Sequence, residues 1–334
     1  MTQTVLKKSR IEWLDVLRGI GVVLMVMGHI YFGERFSVYI HAFHMPLFFF
    51  VSGFFFNPKK NYSEFIIHDL KTLILPFSIC FLICQFLQCV LKGDFDIRYA
   101  FVSYFCSNHF LIVLAGGFWF LPCLFICKQL YYWARRLTRG KLFPAVVVAG
   151  TLTGNYLPFK LPLCLDSALS CLALLWIGEI LKSRQENRFV KWLLDLPAPL
   201  LCLLFLVNGA LIFKNGLVNV RTNDYGNAPL YWLNCLMASL FWANASKRLA
   251  GLKLRPIKVV VRELQYAGRE SIAYLTMNEA CIFIVSSLVA LVGIPTDPVL
   301  SKALCLVAVL GLIKCLRILI AKTKMDFVFG RVGK

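Results

Sequence analysis

Charge is what this sequence has least of. Only 16% of its residues are charged, and Asp and Glu together number 17 in 334 residues. Soluble domains average about 25% charged residues, so an ordinary water-soluble enzyme is excluded. Cysteine is present thirteen times, but no Cys-x-x-Cys pair and no Cys/His cluster at ligand spacing occurs, which removes zinc ribbons and redox motifs. No Ser-centred nucleophile elbow, Walker loop, His-Glu-x-x-His or dinucleotide fingerprint is found. Internal repeats, low-complexity tracts and soluble linkers are also missing. What fills the chain instead is apolar: 59% hydrophobic and 14% aromatic residues, with a mean hydropathy of +0.71. The apolar residues come in blocks long enough to cross a bilayer. The expected fold class is therefore all-α, a polytopic membrane protein forming one domain over residues 1–334.

Ten spans are expected, at about 13–31, 40–56, 72–91, 111–133, 142–157, 162–181, 197–213, 229–245, 271–293 and 299–320, the second and fifth being short. Lys7, Lys8 and Arg10 before the first block resemble a signal peptide. Asp15, Arg18 and His29 interrupt that block and no Ala-x-Ala site follows, so a retained helix is expected. With the N-terminus in the cytoplasm, seven basic residues fall in outer segments: Arg35, Lys92, Arg98, Lys160, Lys214, Arg221 and Lys302. Four more, Arg18, Lys128, Lys314 and Arg317, lie within spans, and the remaining 25 of 36 fall in inner segments. That asymmetry predicts both termini cytoplasmic. It also accounts for the net charge of +19 without nucleic acid, since no groove-reading motif accompanies it. The longest inner segment, 246–270, carries seven basic residues. It reads either as an anchor near anionic lipid headgroups or as a site for a polyanionic ligand such as a CoA nucleotide. The cysteines within apolar blocks read as small apolar residues rather than disulfides or metal ligands.

The first span carries the chemistry. Eleven helical steps bring His29 to within about 20° of Arg18 and roughly 16 Å along the axis, with Asp15 on nearly the same face. Ionisable groups inside a membrane mark functional sites by default. His29 reads as a general base for a hydroxyl, against a structural interhelical histidine. Arg18 reads as a clamp for a phosphate or thioester carbonyl, against a snorkelling anchor or a partner of Asp15. In the second span Pro46 loosens the helix, and His41 and His44 lie one turn apart. His44 either reaches the depth of His29 or sits at the outer surface, where His41 is expected. Asp166 reads as an outer cap or a cavity carboxylate, Trp119 as a pocket wall or a lipid-facing side chain, and Glu179 and Lys128 as interfacial. Ser167, Asn234, Asn278 and Glu279 are the other intramembrane polar residues.

Four stretches of this chain resemble the membrane-bound acyltransferase family 3, and within it the fucose 4-O-acetylase-like branch. They are Leu14-Asp15-x-Leu17-Arg18-Gly19 through Met27-Gly28-His29, Phe43-His44-Met45-Pro46 through Val51-Ser52-Gly53-Phe54, Trp119-Phe120-Leu121, and Leu165-Asp166-Ser167-Ala168 through Ile177-Gly178. The resemblance spans the chain, its first two stretches being the most specific. It implies transfer of an acetyl group from acetyl-CoA to a hydroxyl of a cell-surface or lipid-linked sugar (O-antigen, capsule or exopolysaccharide), with Arg18 and His29 essential. It implies a multi-pass protein of the inner (plasma) membrane, with acetyl-CoA, a glycan acceptor and membrane lipids as partners and no bound cofactor, metal or nucleic acid. Asp15, His44, Trp119 and Asp166 are weaker donor- or substrate-binding candidates. Where the family often has a histidine near the start of the penultimate span, this chain has Asn278. Two other classes remain as alternatives: a carrier with Asp15, Arg18 and His29 as its midplane site, and a non-catalytic scaffold for glycan assembly.

Overall fold

The computed structural model describes residues 11–57, 61–93, 96–107, 109–110, 114–138, 140–293, 295 and 298–331. Of the inner-segment basic residues, Lys7, Lys8, Arg10, Lys59, Lys60, Arg139 and Lys334 lie outside them. The described chain is helical, with one isolated antiparallel bridge, Asn219 to Asp224.

The helices in order are α1 (Glu12–Ile30), α2 (Glu34–His41), α3 (His44–Phe54), α4 (Tyr62–Asp69), α5 (Leu75–Lys92), α6 (Ile97–Phe105), α7 (Phe120–Leu137) and α8 (Phe143–Tyr156). Then follow α9 (Leu165–Ser170), α10 (Leu172–Ser183), α11 (Arg188–Leu193), α12 (Ala198–Asn215), α13 (Ala228–Gly251), α14 (Arg255–Arg269), α15 (Ser271–Leu291) and α16 (Val299–Ala321). Proline stands in the first turn of α8, α12, α13 and α14, where its missing N–H has no intrahelical partner to lose. Asn227 caps α13 by accepting from Leu230 N at 2.9 Å.

Among the described residues, six helices are long and apolar enough to cross a membrane: Glu12–Ile30, Glu34–Phe54, Tyr62–Val90, Ala198–Asn215, Ser271–Leu291 and Val299–Ala321. A seventh is formed if Pro162–Ser170 and Leu172–Ser183, bent by 50°, count as one span. The second span breaks at Ala42–Phe43, ahead of the proline expected to loosen it. Pro46 falls in the first turn of α3, where a missing donor costs nothing. The third span starts ten residues earlier than expected and runs through a π turn, Leu70–Ile74, just before Pro76. A proline there cannot bond to the carbonyl four residues back. The fourth begins as helix only at Phe120, and residues 114–119 approach it as an irregular loop.

Two crossings hold the bundle. Gly19 of α1 and Gly268 of α14 meet backbone to backbone: a Cβ on Gly19 would lie 2.0 Å from the Leu264 carbonyl oxygen, and one on Gly268 2.0 Å from that of Asp15. Gly53 of α3 and Gly178 of α10 do the same against the Leu175 and Phe50 carbonyls, again at 2.0 Å. Small residues allow such approach where packing rather than water drives helix association. The basic segment 246–270, which reads either as a lipid anchor or as a site for a polyanionic ligand, is largely a helix, α14, seated along α1. The thirteen cysteines are free thiols.

Candidate active site

A cavity of about 650 Å³ opens beside α1, within the usual range for small-molecule sites. Arg18, Val22 and Met25 line it from α1. At spacings of four, three and then four residues, Arg18, Val22, Met25 and His29 form one stripe. Its lining also includes the apolar Phe48, Phe120, Leu121 and Leu275 and the ionisable Glu64, His68, Asp69, Lys128, Arg269, Glu270 and Arg331. Arg18 sits 4.6 Å from the centroid of the Phe55 ring. The charges at this end are held by ion pairs. Asp69, fully buried, binds Lys128 directly and lies 3.2 Å from Gln129 Nε2 and from His68 Nδ1. Arg317 joins Glu270 and Asp326 at 2.7 Å each, and Arg331 reaches the other Glu270 oxygen. Lys128 and Glu179, expected at the interface, are enclosed instead. Glu179 accepts from Tyr131 at 2.5 Å and pairs with Arg135 at 3.1 Å, because two acids taken from water need cationic partners.

At the other end of the stripe, His29 Nδ1 lies 3.4 Å from Glu279 Oε1, the two side chains being 31% and 20% exposed. The loop before α7 packs over this pair. A Cβ built on Gly116 would collide with Glu279 Oε1 at 2.6 Å, and one on Gly117 would sit 3.9 Å from His29 Nε2 and 3.5 Å from Leu275 Cδ1. Leu275 also lines the cavity, whereas His29, Glu279 and Gly117 do not. His41 comes near as well, its Cε1 lying 3.9 Å from a Cβ built on Gly28.

The other expected residues fall as follows. His44 is buried with its Nδ1 donating to the Ile40 carbonyl at 2.7 Å, and its ring meets His41 edge-on at 5.1 Å. Asp15 is buried at the crossing of α1 with α14 and does not line the cavity. Trp119 is buried inside the protein, while its neighbours Phe120 and Leu121 form cavity wall. Asp166 is buried; it accepts from Ser167 N at 2.9 Å and pairs with His109 Nε2 at 3.2 Å. Sequence reasoning named Glu279 as an intramembrane polar residue without assigning it to the site, and did not single out His109. Glu279 had a signal, an acid inside an apolar span. His109 lies in a segment that folds back onto the bundle beside Asp166 and carried none. Asn278, adjacent to Glu279, points elsewhere: its Nδ2 donates to the Leu275 carbonyl at 2.6 Å.

The fold is that of a multi-pass helical membrane protein with a polar site enclosed between its helices. The chain belongs to the acyltransferase 3 family: the family's model, an acyltransferase domain, matches residues 11–318. No curated protein and no solved structure matches the chain. An acyl-transfer activity follows from that membership.

Proposed function

We propose that the protein is an integral-membrane O-acetyltransferase that moves an acetyl group from acetyl-CoA to a hydroxyl of a cell-surface or lipid-linked sugar. The observation that carries this reading is the continuity of the Arg18–Val22–Met25–His29 stripe. It begins in a cavity lined by Arg18 together with paired cations and acids, and ends at a histidine–carboxylate pair.

In this reading acetyl-CoA enters the cavity. Arg18 and the other cations of the lining receive its charged portion, and the acyl end extends past Val22 and Met25 toward Gly117 and His29. The sugar hydroxyl attacks the thioester carbonyl. His29 Nε2 takes the hydroxyl proton, and the resulting imidazolium is stabilised by Glu279 at Nδ1. Collapse of the tetrahedral intermediate forms the ester and expels the CoA thiolate, which takes the proton back from His29. His44 and Asp166 are the weaker candidates for orienting groups in this reading. Asp166 holds His109 on the loop side.

The proposal includes ten spans with both termini cytoplasmic, in the inner membrane. The seven apolar spans together with α7, α8 and α13 make up that number, each overlapping an expected segment. Helix α8, with 14 residues, covers about 21 Å and is the shortest of them.

The test is glycan O-acetyl content, by mass spectrometry, in cells with wild-type protein, His29→Ala or no protein, at matched membrane levels. Loss of a sugar modification of about 42 Da (an acetyl group replacing hydrogen) in both the null and the mutant is expected. Loss in the null alone removes His29 from the base role. No change in either strain removes the acetyltransferase reading and makes solute uptake the next assay.

A further inference from the structure

The segment after α16 returns to the cavity that holds Arg18. Thr323 opens it, its Oγ1 accepting from Met325 N at 3.1 Å and donating to the Ile320 carbonyl at 2.8 Å. A short turn follows, Lys324–Phe329. Val328 and Phe329 are buried, and the Phe329 ring centroid lies 5.3 Å from the Arg317 guanidinium carbon. Gly330 takes the left-handed conformation, φ 72°. It passes so close to the π turn that a Cβ on it would stand 2.7 Å from Thr72 Cα. Glycine meets both demands. Phe329 and Arg331 then line the cavity, so this segment is a built part of its wall.

The ion pairs along that wall are graded by burial. Arg317 Nε donates to Glu270 Oε2 at 2.7 Å, and its Nη2 pairs with Asp326 Oδ1 at 2.7 Å. Arg331 takes the other Glu270 oxygen. The side chains of Arg317, Glu270 and Arg331 are 3%, 11% and 45% exposed. Glu270 keeps the buried Arg317 guanidinium at Oε2 whether or not Arg331 stays. Releasing Arg331 therefore leaves no buried charge uncompensated. A half-exposed ion pair is also worth little, so an incoming anion replaces the carboxylate at small cost. Lys128, which lines the same cavity, lacks this freedom. It is bound to the fully buried Asp69, and its departure would uncover that carboxylate.

We infer that residues 324–331 are part of the donor site, and that Arg331 exchanges Glu270 for a phosphate of the donor's nucleotide end while Arg317 holds Glu270 in place. The inference rests on the acyltransferase reading, in which this cavity receives acetyl-CoA. It names a residue that selects the donor by its phosphates rather than by its thioester. The planar guanidinium fork matches phosphate oxygens in pairs. CoA offers phosphate in two places, the diphosphate and the ribose 3′-phosphate.

The experiment measures Kd by isothermal titration calorimetry on the purified full chain in nanodiscs. The probes are CoA, 3′-dephospho-CoA and pantetheine, which carries no phosphate. Wild type is expected to bind CoA tighter than pantetheine. Arg331→Ala is expected to weaken CoA binding by about tenfold and pantetheine binding by less than about twofold, with Tm unchanged. Arg331→Lys recovers part of the loss, since it keeps the charge and loses the fork. A loss confined to CoA assigns the contact to the 3′-phosphate, and a loss for both nucleotides assigns it to the diphosphate. An Arg331→Ala protein that binds CoA as wild type does overturns the inference and leaves the acyltransferase reading standing. So does an equal loss for all three probes with a lowered Tm, which would make Arg331 a pin of the wall and nothing more. A wild-type protein that binds none of the three removes the donor from this cavity, and the inference falls with that reading.

Discussion

At the residue scale the centre of interest is Glu279. Intramembrane acids are expensive, and this one is only 20% exposed, with its carboxylate 3.4 Å from His29 Nδ1. Gly116 faces it so closely that any side chain there would displace it. With Nδ1 facing Glu279, Nε2 on the Gly117 side is the nitrogen that the proposed reaction uses. Under the proposed mechanism Glu279 is a positioning residue, acting through His29. Glu279→Gln is expected to lower kcat by about 100-fold, within the range that general-base catalysis contributes, leaving KM for acetyl-CoA unchanged. A purely structural role would instead lower the membrane level and leave the pH profile of the remaining activity in place. With His29 as the base, wild-type kcat/KM falls as pH drops and the imidazole is protonated. The Glu279→Gln profile should be displaced toward lower pH, since removing the carboxylate removes a stabiliser of the protonated ring. An unshifted profile at reduced kcat would count against the pairing.

At the element scale the site depends on how closely α1, α3, α10 and α14 approach one another. Gly178 of α10 and Gly53 of α3 sit in stretches that carry the family resemblance, and their geometry explains why glycine is needed there. A Cβ at either would fall inside a backbone carbonyl of the facing helix, and backbone, unlike a side-chain end, cannot swing aside. Gly178→Val is expected to destabilise the folded bundle by about 3 kcal/mol, read as a lower Tm and lower membrane level, with His29 chemistry lost only in proportion. A Gly178→Val protein with wild-type Tm would show that the helices do not cross as described. The crossing of α1 with α14 has a further consequence. By seating α14 along α1, it brings Arg269 and Glu270 into the cavity lining with Arg18, so a segment that reads as a connecting loop becomes part of the candidate donor site.

At the scale of the whole molecule, the candidate site has two ends on one helix: the cavity with its paired charges at one, and His29 with Glu279 at the other. In the proposed topology, which rests on the charge asymmetry, the Arg18 end faces the cytoplasm. A fluorescent protein fused at the C-terminus is expected to fluoresce, and alkaline phosphatase fused after Lys160 or Lys302 is expected to be active. Activity after Lys141 or Lys182 would reverse that assignment and place the cavity on the opposite side.

The sequence by itself determined the membrane class, the helical fold and the stripe joining Arg18 to His29. Those properties come from composition and from a 3.6-residue period, both of which are local. It also located most spans, although helix bounds moved wherever a break depended on packing, as at Ala42–Phe43 and in residues 114–119. The tertiary structure alone decided which residues meet. Glu279 is 250 positions from His29 in the chain, and no periodicity links the two. Arg221 and His109 lie in loops whose return to the bundle rests on hydrogen bonds such as Ser167 to Arg221 and ion pairs such as His109 to Asp166. Such contacts are chosen by the packed arrangement of distant helices, so a linear pattern carries no trace of them.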